Sequence, residues 1–266
     1  RIGGRLTGWN TESGDIFHLG SRSLDSIPRW MIRFAEEWAR LGYVKLKGST
    51  LVPLKPIPEL LNHLSQGSEV HLSHKIIDID IVENGVRLTK DFDGHVDVST
   101  HDKVIVAVPV EQAMEIASWL GLEIMGQSYS KIVSWGPNEN KPQMVPEGYD
   151  LMQIDNTTSL VELSSDISDK LIDNSLEDIT KIILESMGLS TDGWKSHKWR
   201  YSTPFSGPKS VVSKDCVSFI GDAFGLEIGT SGAALDSTAR AVSNLHLTKF
   251  TSDFRRSRIQ ASIFDW

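Results

Sequence analysis

The stretch Val217-Ser-Phe-Ile-Gly-Asp222, followed by Gly225, Gly229 and Gly232-Ala233-Ala234, decides how this chain is read. Four mostly apolar residues make a short buried strand, and Gly221 ends it, letting the backbone approach a ligand closely. Asp222 then projects from the carboxyl end of the strand, where open α/β sheets bind their ligands. Its carboxylate can accept hydrogen bonds from the hydroxyls of a sugar alcohol. The helix starting near Gly232 offers unpaired N–H groups and the positive end of a dipole. Such an end suits a group that gains negative charge.

Outward from this segment the chain alternates in character. Lys103 to Val108 is a nearly all-apolar strand, as expected where both sheet faces are covered; Pro109 ends it, and Val110 to Leu120 reads as a helix. The first 27 residues, rich in Gly, Ser and Asp, read as loop. From Pro28, Trp30, Phe34, Trp38 and Leu41 recur at helical spacing, with Met31 beside them and Gly42 as the stop. Thr50 to Val52 reads as a strand, and Ile57 to Leu64 as a second helix running out at Gly67. Glu69 to Ile81 alternates as a strand, Asn84-Gly85 signals a hairpin to Val86–Thr89, and Asp93-Gly94 marks another turn. The region from Ser130 to His197 carries strand candidates at 131–135, 151–154 and 159–163. A helix from Ser175 to Met187 follows, with Ser175 and Asp178 as its capping box. Strand–turn–helix units at both ends, with a mixed region between, predict one nucleotide-type α/β domain interrupted by a second domain.

Composition excludes several function classes. The net charge of −8 argues against a nucleic-acid surface, which needs clustered Lys and Arg. Arg255, Arg256 and Arg258 read as a solvated tail. No apolar run approaches the roughly 20 residues of a membrane span. The eight histidines and one cysteine form neither an HExxH pair nor a CxxC, so no metal site is predicted. Cys216 reads as a small core residue, no intrachain disulfide is possible, and a reducing cytoplasmic setting is expected.

The Gly221-Asp222 segment resembles the C-terminal FAD motif of the amine-oxidase superfamily, especially its renalase-like branch. The resemblance implies FAD as cofactor, with Asp222 holding the ribityl chain and Gly232 and Ala233 covering the flavin pyrimidine edge. Ile2-Gly3-Gly4-Arg5 resembles the family's Gly-Gly-Arg, which implies Gly4 and Arg5 along the diphosphate. His18-Leu19-Gly20-Ser21 stands where the family has Asp-Leu-Gly-Ala beside the flavin. His197-Lys-Trp-Arg-Tyr-Ser202 resembles the renalase-branch His-x-Trp-Arg-Tyr, which implies Trp199 and Tyr201 on the substrate side, with core packing an equally good reading of Trp199. Arg200 pairs with an anionic substrate or, the favoured reading, with an acidic side chain. Lys75 to Ile79 resembles the strand that meets the adenine, with Ile76 as the contact. Two departures stand out: His18 replaces an Asp, and Ser231-Gly232-Ala233 replaces Glu-Gly-Ala.

The implied fold is an FAD-binding, Rossmann-like domain of glutathione-reductase type, interrupted by a mixed α+β substrate domain. The expected division gives residues 1–27, 48–112 and 198–266 to the first, and 28–47 and 113–197 to the second. The family's Gly-x-Gly-x-x-Gly turn occurs nowhere in the sequence, so the diphosphate grip, a unit of roughly 30 residues, is expected from a preceding segment or a separate chain. The implied activity is hydride transfer from a substrate C–H or a dihydronicotinamide to flavin N5, on a small-molecule substrate. One chain of a split flavoprotein, or a non-catalytic module keeping the fold, are the alternatives. No catalytic base is evident.

Overall fold

The computed structural model describes residues 4–10, 14, 16–138, 144–153 and 159–245. Gly3, the end of the 151–154 strand candidate, and the arginines at 255, 256 and 258 lie outside these residues. Near the start, β1 (Gly8–Asn10) and β2 (Ile16–His18) pair antiparallel where loop was expected. Phe17 is the reason: it is fully buried against Leu19, Leu160 and Trp199. A distant partner, not local patterning, makes that strand.

A 3-10 turn at Arg29–Met31, preceded by Pro28, leads into α1 (Ile32–Arg40), which stops before Gly42 at φ +76°. Phe34 and Ala35 are buried, with Trp30 and Trp38 packed beside them. Leu41 departs from the expected stripe, because as the C-cap residue it is 38% exposed. β3 (Val44–Lys47) and β4 (Thr50–Pro53) close a hairpin that carries its own ladder across the expected division at 47/48. α2 (Ile57–Leu64) matches its expected span, with Ile57 and Leu60 buried.

β5 (Lys75–Val82), β6 (Gly85–Phe92) and β7 (His95–His101) form an antiparallel meander. The strand expected from Glu69 begins only at Lys75, after Ser73 turns to φ +61°. The first turn holds Glu83 and Asn84, since Val82 already pairs with Gly85. At φ +135°, with a Cβ position 2.3 Å from the His101 carbonyl oxygen, Gly85 admits no side chain. In the second turn Asp93 and Gly94 both have positive φ, the primed geometry that matches strand twist.

β8 (Val104–Val106) and α3 (Val110–Trp119) follow on either side of Pro109. Then come β9 (Gln127–Tyr129), β10 (Ile132–Asn138), β11 (Tyr149–Gln153) and β12 (Ser159–Leu163). α4 (Ser165–Leu171) was not expected, its few apolar positions giving no clear period. α5 (Leu176–Ser186) starts where Ser175 Oγ accepts the Asp178 N–H at 3.0 Å. The chain continues through β13 (Lys195–Trp199), β14 (Pro204–Ser206), β15 (Val212–Lys214), β16 (Val217–Phe219) and α6 (Ser231–Asn244).

β16 pairs in parallel with β8 and antiparallel with β15. This sheet shares a core with α3 through Val106, Ala113, Val217 and Phe219. Cys216 packs half-buried at the rim of the same cluster. A second sheet, ordered β11-β12-β10-β13, puts Val133, Trp135, Val161 and Leu163 in a core with Ile179, Ile183 and Leu184 of α5. Its other face turns Ile132, Leu160 and Trp199 towards Phe17 and Leu19. The short pair β9–β14 carries Tyr129 against Pro204.

Three lysines reach helix C-termini from elsewhere in the chain. Lys103 Nζ donates to the carbonyl of Leu245, which caps α6. Lys214 Nζ donates to Leu120, which caps α3, at 2.5 Å, and Lys198 Nζ to Ile172, which caps α4, at 3.0 Å. α3 and α6 have no basic residue in their own last turn, so a cation favourable to the dipole comes from afar.

Candidate functional site

One cavity, about 530 Å³ in volume, collects the residues singled out at the two ends of the sequence. Arg5 and Gly20 line it from the N-terminal region, Asp222 from the end of β16, and Thr230, Ser231 and Ala234 from the start of α6. Trp199 and Ile132 contribute the sheet wall, while Leu60, Leu61 and Leu64 of α2 extend an apolar end.

Asp222 is the electrostatic centre of the polar end. The residue is 6% exposed, and its carboxylate accepts from Arg5 Nη2 at 2.7 Å and from the Tyr129 hydroxyl at 3.2 Å. Arg5 also donates to the Ser202 carbonyl and lies over the Tyr129 ring at 5.7 Å. Burial pushes the Tyr129 phenol well above its usual range, and the neighbouring Asp222 charge pushes it further. Tyr129 therefore remains a neutral donor at any physiological pH. Tyr201 meets Tyr129 edge to face, with ring centroids 5.8 Å apart.

Gly20 is required by close approach, since a Cβ there would lie 1.9 Å from the Arg5 carbonyl oxygen. Ser21 N donates to that same oxygen, tying the turn at Arg5 to the segment after β2. Gly221, at φ +144°, receives the Ser237 hydroxyl on its carbonyl, which anchors α6 to the end of β16. At the start of α6, Gly232 N donates to Asp25 O, and Ala233 N donates to Thr230 Oγ1. Those two amides are thus engaged within the protein, and the helix meets the cavity through Thr230, Ser231 and Ala234 instead.

Thr230 is a true N-cap that the glycine-centred reading passed over. Thr230→Ala is expected to lower stability by about 1 kcal/mol, measured as a shift in the denaturant midpoint with unchanged slope.

The remaining sequence-derived residues lie around this centre or apart from it. Gly4 is exposed at φ +48°, next to Arg5. Trp199 is 8% exposed and donates from Nε1 to Ser134 Oγ at 2.9 Å. Arg200 pairs with Asp173 at 3.0 Å, the acidic-partner reading. Ile76 sits half-buried on β5 opposite Lys90, away from the cavity wall. The sequence reading missed Tyr129, Ser202, Arg22 and Glu162. A carboxylate among Leu160, Val161 and Leu163 was the available signal for the last.

His18 is 6% exposed, and neither ring nitrogen meets a partner at hydrogen-bonding geometry. Its Nδ1 packs against Gly8, where a Cβ would lie 2.6 Å away. Burial holds the imidazole below its ordinary value, offset in part by the nearby Thr7 backbone. The unfolded chain takes up this proton near pH ~6.5 and the folded chain resists it. Stability is therefore expected to fall as the pH drops below about 6.5. His18→Phe should flatten that part of a melting-temperature profile, and an unchanged slope would rule His18 out as its source.

Among the described residues no group of three or more His, Cys, Asp or Glu is placed to hold a metal, and no helix is long and apolar enough to cross a membrane.

The sequence pattern of the flavin containing amine oxidoreductase family matches residues 31–118. No curated protein matches the chain at a significant level. Among solved structures, the chain is similar to CabE, an aromatic hydroxylase from angucycline biosynthesis, with a TM-score of 0.58 at 11% identity over 87% of this chain and 55% of that one. It is similar to BexE, from BE-7585A biosynthesis, with a TM-score of 0.57 at 12% identity over 86% and 55%. It is also similar to OxyS, the anhydrotetracycline hydroxylase from Streptomyces rimosus, with a TM-score of 0.51 at 12% identity over 82% and 47%. The chain spans about half the length of these structures, and at such identities the likeness carries the fold and not the reaction.

FAD is the group that the family pattern matched at residues 31–118 implies, and the residues lining the cavity fit it. The cavity volume lies within the roughly 300–1,000 Å³ of cofactor and ligand sites. A buried carboxylate, a guanidinium and a helix start share its wall. Gly229, at φ +83°, keeps the wall beside Thr203 free of a side chain.

Proposed function

We propose that this chain belongs to the flavin-containing amine oxidoreductase superfamily, whose sequence pattern matches residues 31–118, and that it acts as an FAD-dependent oxidoreductase of renalase-like type. The observation that carries the reading is the convergence of Arg5, Gly20, Asp222 and the first turn of α6 on one cavity. FAD, when bound, supplies the two-electron acceptor for a hydride lost from a substrate C–H or a dihydronicotinamide.

The protein's own residues bind, orient and exclude water. Asp222 offers an anionic acceptor to sugar-alcohol hydroxyls, and charge-assisted bonds of this kind are the stronger ones. Tyr129, locked neutral, fixes that carboxylate from behind. Arg5 supplies positive charge at the polar end, and the α6 dipole adds to it. Leu19, Ile132 and Trp199 form an apolar wall that keeps water from the substrate side.

The division into a cofactor domain (1–27, 48–112, 198–266) and a substrate domain (28–47, 113–197) belongs to this reading, although its 47/48 boundary falls between β3 and β4, which pair as one hairpin. So does the glutathione-reductase-type arrangement. A cytoplasmic setting accords with the free thiol of Cys216.

The test is the visible spectrum of the full-length protein before and after candidate reductants. A bound yellow chromophore that bleaches on anaerobic reduction is expected. Full-length protein that takes up no flavin from added FAD would refute the reading.

A further inference from the structure

Away from the cavity, β7 is one margin of the meander, whose strands run in the order β5-β6-β7. The opposite margin is blunted. β5 begins after Ser73 turns to φ +61°, its ladder is irregular between Ile76 and Asp78, and its Ile79 shares a core with Ala113 and Ala117 of α3. β7 has none of these protections. Its ladder to β6 is unbroken from His95 to His101, it holds no Pro, Lys or Arg, and every residue in it but Ser99 is exposed. Val96 and Val98 are 63% and 54% exposed. An open strand of this kind is a template for pairing with another chain.

The hairpin fixes which backbone groups point outward. Phe92 and His95 pair across the two-residue turn Asp93-Gly94, so their N–H and C=O groups are used within the sheet. Alternation then turns those of Asp97, Ser99 and His101 towards β6, and those of Val96, Val98 and Thr100 away from it. The sequence His-Val-Asp-Val-Ser-Thr-His is close to its own reverse about Val98. Antiparallel pairing with a second copy about that residue sets Val98 against Val98, Val96 against Thr100, Asp97 against Ser99 and His95 against His101. β-branched side chains meet on one face, as favourable cross-strand pairs do, and no two carboxylates lie directly opposite. Asp97 meets Lys90 of its own sheet at 3.4 Å. A slip that centred the pair on Asp97 would oppose two carboxylates, and any slip shortens the ladder.

We propose that β7 is a self-association edge, at which two copies of this chain join antiparallel about Val98 to make one continuous sheet. The bonds between copies run through the outward groups of Val96, Val98 and Thr100, and the valines left open in one copy are covered by the other. This interface is independent of what the cavity binds.

Analytical ultracentrifugation of the full-length protein over a dilution series tests it. A dimer that dissociates on dilution is expected. Val98→Lys places two ammonium groups across the two-fold axis and is expected to weaken dimerisation at least about tenfold, a factor worth about 1.4 kcal/mol. Register is read by mild oxidation in a Cys216→Ser background. Val98→Cys brings the two Cα atoms to about 5.5 Å in a hydrogen-bonded pair, within disulfide reach, and is expected to give a cross-linked dimer. Asp97→Cys leaves them more than about 7 Å apart and is expected to cross-link far less. A monomer at every concentration leaves the edge to another protein or to none, and a dimer that Val98→Lys leaves at full strength puts the interface on another face; either overturns the proposal. So does a Val98→Cys variant that cross-links no better than Asp97→Cys.

Discussion

Replacing Asp222 by Ala is expected to weaken FAD binding by the full-length protein about a hundredfold, or ~3 kcal/mol at 1.4 kcal/mol per tenfold. Hydrogen bonds to a charged group contribute about 1.5–3 kcal/mol, and this carboxylate is the only buried anion at the polar end of the cavity among the described residues. The substitution also leaves the Tyr129 hydroxyl and the Arg5 guanidinium without their shared acceptor. Asp222→Asn, which keeps the volume and one carbonyl oxygen, should fall between wild type and Ala. A readout independent of flavin is available in Tyr129. Removing the adjacent charge should bring its phenol down, though still above an ordinary tyrosine, because burial is the larger cause. Flavin retained at wild-type affinity in Asp222→Ala would end the assignment of this residue to the cofactor.

The second large effect is expected at Gly232. A Cβ there would sit 1.8 Å from the Ser26 carbonyl oxygen and 2.7 Å from its carbon, both backbone atoms that cannot rotate away. The Gly232 N–H is meanwhile held by Asp25 O at 3.0 Å. Gly232→Ala must therefore push the first turn of α6 off the segment at 25–26, and with it Thr230 and Ser231 at the cavity wall. Overpacking of this kind costs about 1–3 kcal/mol, and Val should cost more. Chemical denaturation should show a lower midpoint, and flavin titration a weaker affinity than the stability loss alone explains. A stable Gly232→Val variant with normal flavin affinity would show that the helix start is not held as described.

Elements with strong local patterns were legible in the sequence. α2, α3 and α5 lie within a residue or two of their expected spans, since each carries an apolar face and a Pro, Gly or Ser boundary signal. Gly221 and Asp222 were legible because a buried strand ending in Gly-Asp is a local feature. β2, α4 and the true start of β5 were not. The first exists because Phe17 docks on residues more than a hundred positions away, and no window along the chain contains that partner. Tyr129 and Glu162 escaped for the same reason. Tyr129 becomes a site residue only when β9 pairs with β14 and faces Asp222, and Glu162 only when β12 is sandwiched between β10 and β11. The Gly232 amide was legible as a helix start, but its engagement by Asp25 depends on a chain segment some 200 residues earlier in sequence.

The lysines at the ends of α3, α4 and α6 tie the fold to the chemical state of three amines. Acetylation or carbamylation of Lys103, Lys198 and Lys214 would erase the positive charge, leaving three carbonyl termini to solvent or to neutral donors. Because each amine belongs to a segment remote from the helix it serves, the damage would loosen strand from helix instead of fraying a single end. Protein aged in cyanate-bearing urea should accordingly refold less completely than protein unfolded in fresh denaturant.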